Sequence, residues 1–114
     1  MKAIAFTKYE KIKDMAIDIA QELIRFDNQN PPGSDQKIAA YIHKKLESFG
    51  MQVTTHQVDE HVYCVRAVYG NPDHIGLIFS GHLDVVPVTQ DWARDPFDPV
   101  IIDGRMYGRG SCDM

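Results

Sequence analysis

Between Tyr9 and Phe26 the apolar residues Ile12, Met15, Ala16, Ile19, Leu23 and Phe26 recur at steps of three and four, with Lys11, Asp14, Asp18, Gln21 and Arg25 between them. That period predicts an amphipathic helix. It gives way to Asp27-Asn28-Gln29-Asn30-Pro31-Pro32-Gly33, where two prolines remove backbone donors and disfavour helix in the residues before them. A second helix is expected after Ser34, a residue suited to capping, with Asp35 in its first turn and Ile38, Ile42, Leu46 and Phe49 as its apolar stripe. Gly50 is placed to stop it in the left-handed region.

Beyond Gly50 the period shortens to two. Met51, Val53 and Thr55 alternate with polar neighbours, Val62 to Tyr69 is rich in β-branched and aromatic residues, and Asp59-Glu60-His61 makes the turn between them. Ile75-Gly76-Leu77-Ile78-Phe79 is an unbroken apolar run, which predicts a strand covered on both faces, as in the middle of an α/β sheet. Val100-Ile101-Ile102 and Arg105-Met106-Tyr107 flank Asp103-Gly104, a pair that readily takes the positive φ angles of a two-residue hairpin turn. Two helices, several strands and one wholly apolar strand define an α/β class: a mixed sheet flanked by helices.

Composition narrows the function classes. The chain has 114 residues, 44% of them apolar and 25% charged, as soluble globular chains do. By size scaling such a chain buries about two thirds of its unfolded surface, enough for a hydrophobic core. A net charge of −4 gives no electrostatic attraction to nucleic acid or an anionic membrane, and no apolar run approaches the roughly 18 to 20 residues of a bilayer span. Cys64 and Cys112 have no metal-type spacing, and the first residues lack the apolar core of a signal peptide, so a cytoplasmic setting is expected.

The chemistry concentrates after the apolar run, which leads directly into Ser80-Gly81-His82-Leu83-Asp84-Val85-Val86-Pro87. In open α/β sheets ligands bind at the carboxyl ends of strands. Residues two apart on extended backbone share a side, so His82 can bind a metal while Asp84 accepts its second ring N–H. On spacing alone the triplet could equally cap a strand end. Asp113 follows Tyr107-Gly108-Arg109-Gly110-Ser111-Cys112, whose small residues permit close approach of the backbone to a site. Alone it would read as an ordinary solvated aspartate. Trp92, Pro96, Phe97 and Pro99 read most simply as a packed loop, though Trp92 and Phe97 could equally wall a pocket, and Cys112 reads as a small packed side chain beside the site. Arg109 either grips a substrate carboxylate or anchors the loop.

Together these segments, with Asp91-Trp92-Ala93-Arg94-Asp95-Pro96-Phe97 and the terminal Asp103 to Met114 stretch, resemble the amino-terminal part of the M20 metallopeptidase family. The wording is most similar to its acetylornithine deacetylase branch, with the succinyl-diaminopimelate desuccinylase branch close behind, and Asn30-Pro31-Pro32-Gly33-Ser34 extends the likeness toward the first helix. The resemblance implies that residues 1–114 are the first portion of a zinc-peptidase-like catalytic domain, incomplete without its remainder and its dimerisation domain. It implies His82 as a metal ligand, Asp84 as the catalytic acid that supports it, and Asp113 as the carboxylate bridging two Zn²⁺ ions, with Co²⁺ a possible substitute. The reaction implied is removal of an acyl group from a small N-acyl amino acid, in amino-acid (arginine) biosynthesis, by a cytoplasmic homodimer that binds neither nucleic acid nor membrane. A dipeptidase or aminoacylase of the same family, or a truncated non-catalytic binding module, is the alternative.

The family completes its site with a Glu-Glu pair, a further acidic ligand and a late histidine, which have no counterpart in the first 114 residues. Asp59-Glu60 precedes His82 and cannot stand in for that pair by order, and His43, His56, His61 and His74 show no paired ligand spacing. The expectation is that these 114 residues alone are inactive and partly unfolded or self-associating.

Overall fold

The computed structural model describes residues 2–31, 33–74 and 76–114, with side chains from residue 7 onward. Helix α1 (Lys2–Ile24) and helix α2 (Gln36–Ser48) are followed by two antiparallel hairpins, β1 (Gln52–Gln57) with β2 (Tyr63–Val68) and β3 (Val100–Ile102) with β4 (Arg105–Tyr107). The mixed α/β class agrees with the sequence reading. Pro32 and Ile75, which that reading placed in the proline turn and at the start of the apolar strand, lie outside the described residues.

Helix α1 begins earlier than its apolar period and ends two residues sooner. Among its described side chains Tyr9, Ile12 and Met15 are exposed, half-burial of the apolar ones begins at Ile17, and Ile24 is buried. Helix α2 packs on the β1–β2 hairpin, whose inner face carries Val53, Tyr63, Val65 and Ala67, and its buried residues are Ile38 and Ala39. Asp35, not Ser34, occupies its N-cap, without a side-chain cap; the Ser34 hydroxyl only approaches the Gln36 amide at 3.4 Å. The helices are joined by Glu22, which accepts from the Tyr41 hydroxyl and from Lys45 Nζ at 2.7 Å, and by the Phe26 and Tyr41 rings at 5.2 Å. Lys45 first and then Tyr41 hold the Glu22 carboxyl below its usual range, and the bond to Glu22 in turn raises Lys45.

Both hairpins follow the sequence. Gln52 pairs with Val68 and Gln57 with Tyr63, around a turn at residues 58–62 closed by Val58 N–H donating to the Val62 carbonyl at 2.8 Å. Between β3 and β4, Asp103 (φ +50) and Gly104 (φ +74) take the left-handed angles that a two-residue turn demands.

The apolar run departs from expectation. Gly76 to Ser80 form no strand, and Leu77, Ile78 and Phe79 are 72%, 75% and 89% exposed. An apolar run becomes a buried strand only if neighbours supply both ladder partners and covering faces. Among the described residues each hairpin pairs within itself, so nothing does. The core is correspondingly small, with Ile24, Ile38, Ala39 and Val85 as its buried aliphatic residues. The accessible surface is 9006 Å², against about 6,300 Å² for a compact chain of this mass. The radius of gyration is 16.3 Å, against roughly 13 Å for a compact domain of this length. The well-filled core expected from length alone does not form.

Candidate active site

His82, Asp84 and Asp113 sit on two irregular segments that are fixed from opposite sides. The polar loop after α1 grips the first. The Asn28 carbonyl accepts from the Val85 amide at 3.2 Å, the Asn30 amide donates to the Val85 carbonyl at 2.9 Å, and Gln29 and Val85 form a parallel bridge. Gln29 Oε1 accepts from the Val88 amide at 2.7 Å, and Asn28 Nδ2 donates to the Leu83 carbonyl. Val85 is buried, so His82 and Asp84 are carried on backbone that is anchored on their carboxyl-terminal side.

The second segment follows β4. Gly108 is buried so tightly against α1 that a Cβ there would stand 2.7 Å from Ile24 Cγ2. Gly110, at φ +90, turns the chain back past Val85 in a conformation that side chains disfavour. Arg109 ties this segment to the preceding loop: its amide donates to the Pro96 carbonyl at 2.8 Å, and its guanidinium lies 5.2 Å from the Trp92 ring centre. Its Nη2 stands 3.5 Å from the Pro87 carbonyl. These contacts favour the loop-anchoring reading of Arg109 and make Trp92 part of the same packing. Cys112 is exposed, which corrects the expectation of a packed side chain, because the backbone turn at Gly110 carries it outward.

Across the gap, His82 Nε2 lies 2.9 Å from Asp113 Oδ1. On the other edge of the ring, Nδ1 donates to the main-chain carbonyl of Asp84 at 2.8 Å, nearer than the Asp84 carboxylate at 3.3 Å. The second ring nitrogen is therefore satisfied chiefly by the backbone of Asp84, where the sequence pointed to its side chain. A carbonyl can only accept, so Nδ1 carries the proton and Nε2 presents a lone pair toward a carboxylate. Two acceptors cannot face each other stably at this distance unless a proton or a cation lies between them. Accordingly the hydrogen bond to Asp113, aided by that to Asp84, raises the His82 pKa above the usual histidine range.

Two ligand atoms on one tetrahedral zinc stand about 3.3 Å apart, given bonds of about 2.0 to 2.1 Å. The observed 2.9 Å is close to that, and neutral imidazole with carboxylate is a zinc-type donor pair. Among the described residues no group of three or more His, Cys, Asp or Glu side chains converges on one point, so the pair stands without a further ligand. Both carboxylates and the ring border an open groove of about 280 Å³ walled by Trp92, Arg109 and Val86. His43 is held elsewhere, with Nδ1 2.7 Å from Thr55 Oγ1 and Nε2 3.3 Å from Glu47, while His56, His61 and His74 are exposed. The contribution that sequence reasoning missed is the Asn28-Gln29-Asn30 clamp.

Residues 78–114, the segment holding all three groups, match the family described as peptidase family M20/M25/M40. The chain belongs to that family. M20 enzymes are generally metal-dependent, typically on zinc. Among curated relatives, the chain is 50% identical over 56 residues to the succinyl-diaminopimelate desuccinylase of Anaplasma marginale (strain Florida), covering 49% of this chain and 14% of that protein. It is 36% identical over 104 residues to the desuccinylase of Wolbachia pipientis subsp. Culex pipiens (strain wPip), covering 86% of this M20 chain and 24% of the relative. It is 32% identical over 113 residues to the N-formyl-4-amino-5-aminomethyl-2-methylpyrimidine deformylase of Bacillus subtilis (strain 168), covering 94% and 26%. The chain thus spans about a quarter or less of the length of these relatives. No solved structure matches it with significance. No helix among the described residues is long and apolar enough to cross a membrane.

Proposed function

We propose that this M20 chain contributes the first part of the active site of a metal-dependent amidohydrolase that removes an acyl group from a small N-acylated amine. The observation that carries the reading is the facing pair of His82 Nε2 and Asp113 Oδ1, with the proton of the ring fixed on the far nitrogen by Asp84. His82 and Asp113 would hold the metal, and Asp84 would keep the imidazole in its ligating tautomer. The chemistry that zinc supplies is Lewis acidity toward an acyl carbonyl and a water. The relatives named for removal of succinyl and formyl groups support an N-acyl substrate, and an N-acetyl diamino acid such as N-acetylornithine is the finer candidate. The unpaired Cys64 and Cys112 suit a reducing, cytoplasmic setting.

A catalytic zinc takes about three protein ligands. Among the described residues two come together, so by this count residues 1–114 would bind metal weakly and be inactive alone. The test takes the full-length enzyme that contains residues 1–114, supplied with zinc, and compares N-succinyl, N-formyl and N-acetyl amino acids by following release of the free amine. Hydrolysis lost in His82→Ala and Asp113→Asn is expected; hydrolysis retained in His82→Ala would overturn the assignment.

A further inference from the structure

Asn28 is the buried polar side chain of the described core, 4% exposed, in a loop that lies far from His82 in sequence. A carboxamide in such a place is costly unless its hydrogen-bonding groups are used. Its amide nitrogen is engaged. It donates to the main-chain carbonyl of Leu83, the residue between His82 and Asp84. The same amide bears on the carboxyl of Asp35, which burial first and then the Asp84 charge push up, while the Tyr63 backbone and, less, Asn28 draw it down. The main-chain carbonyl of Asn28, which any residue at this position keeps, accepts from the Val85 amide at 3.2 Å. One residue thus fixes the peptide units on both sides of Asp84, whose own carbonyl orients the His82 ring.

We infer that Asn28 is a positioning residue: it sets the main chain of Leu83 to Val85 so that His82 Nε2 faces Asp113. The inference rests on the metal-site reading above. No other common side chain substitutes well. Aspartate would oppose an acceptor to the Leu83 carbonyl and a second carboxylate to Asp35, and leucine fills the volume but donates nothing. Groups that orient metal ligands change affinity by about tenfold to a hundredfold when removed.

The experiment uses the full-length enzyme that contains residues 1–114, with zinc affinity measured by competition against a chromophoric chelator, the visible spectrum of the Co²⁺ form, and thermal melting. Asn28→Leu is expected to weaken zinc binding by about tenfold to a hundredfold and alter the cobalt bands. Should Asn28→Leu fail to fold, Asn28→Gln, which keeps the donors but displaces them by one methylene, is expected to weaken binding while still melting cooperatively. A folded Asn28→Leu or Asn28→Gln protein with unchanged zinc affinity and cobalt spectrum would overturn the role of Asn28. His82→Ala separates the two ideas: if it binds zinc as tightly as the parent, the metal-site reading itself fails, whatever Asn28 does.

Discussion

His82 Nε2 and Asp113 Oδ1 stand 2.9 Å apart although 31 residues separate them, and the other ring nitrogen is committed to the Asp84 carbonyl. Imidazole flanked by acceptors on both edges is stabilised as the cation. In the metal-free protein His82 therefore titrates above the ordinary histidine value, and Asp113→Asn returns it toward that value, as ¹H–¹⁵N NMR of the ring will show. The sign of the linkage follows. A raised folded pKa stabilises the fold below the unfolded value of about 6.5, and that contribution disappears as pH rises through the folded pKa. Zinc binding runs the opposite way. Below the folded pKa, a proton must leave for zinc to bind, so affinity falls by about tenfold per pH unit.

Gly108→Ala is expected to destabilise the fold, because its Cβ would press on Ile24 Cγ2 at 2.7 Å, and Ile24 is buried at the end of α1. Overpacking of this kind costs about 1 to 3 kcal/mol, more than the roughly 0.4 to 1 kcal/mol gained by stiffening the unfolded chain. Gly76→Ala is the control, since a Cβ there meets nothing within 4 Å, and its urea midpoint should stand at or slightly above the parent's. Equal midpoints for Gly108→Ala and the parent would show that the β4 exit does not pack on α1 as described.

The sequence disclosed what is local. The three- and four-residue period marked both helices, and Asp103-Gly104 marked the β3–β4 turn because only a few residue types accept those φ angles. It showed less of what depends on partners. The Ile75 to Phe79 run declares a need for burial but names no neighbour, and without one among the described residues Leu77 to Phe79 stay exposed. Likewise His-x-Asp gave the His82 and Asp84 pair by its spacing, whereas the approach of Asp113 depends on turns at Gly108 and Gly110 that short-range patterns do not encode. The Asn28 clamp had only a faint signal, a polar Asn-Gln-Asn run where a helix ends, and its partner lies 55 residues away.

Arg109→Ala is expected to loosen the loop that walls the groove. The guanidinium covers the Trp92 ring at 5.2 Å, an interaction of about 0.5 to 1 kcal/mol in a partly exposed setting. Trp92 is the chain's single tryptophan, so its emission reports the loop directly. Arg109→Ala should shift that emission to the red, with Arg109→Lys intermediate because an ammonium lacks the flat face that stacks. Identical spectra for all three proteins would contradict the stacking.

Leu77, Ile78 and Phe79 combine exposed apolar side chains with backbone that neither hairpin pairs, the combination that recruits a second strand from another chain. The polypeptide of residues 1–114 is therefore expected to self-associate with rising concentration in sedimentation velocity. Placing a charge in the run opposes both apolar contact and strand addition, so Ile78→Lys with Phe79→Lys should shift the distribution toward monomer. His82, Asp84 and Asp113 are untouched by that double substitution, and weak zinc binding should survive it. A parent polypeptide that sediments as one monomeric species at every concentration would show that this run is covered in solution by a contact other than those described.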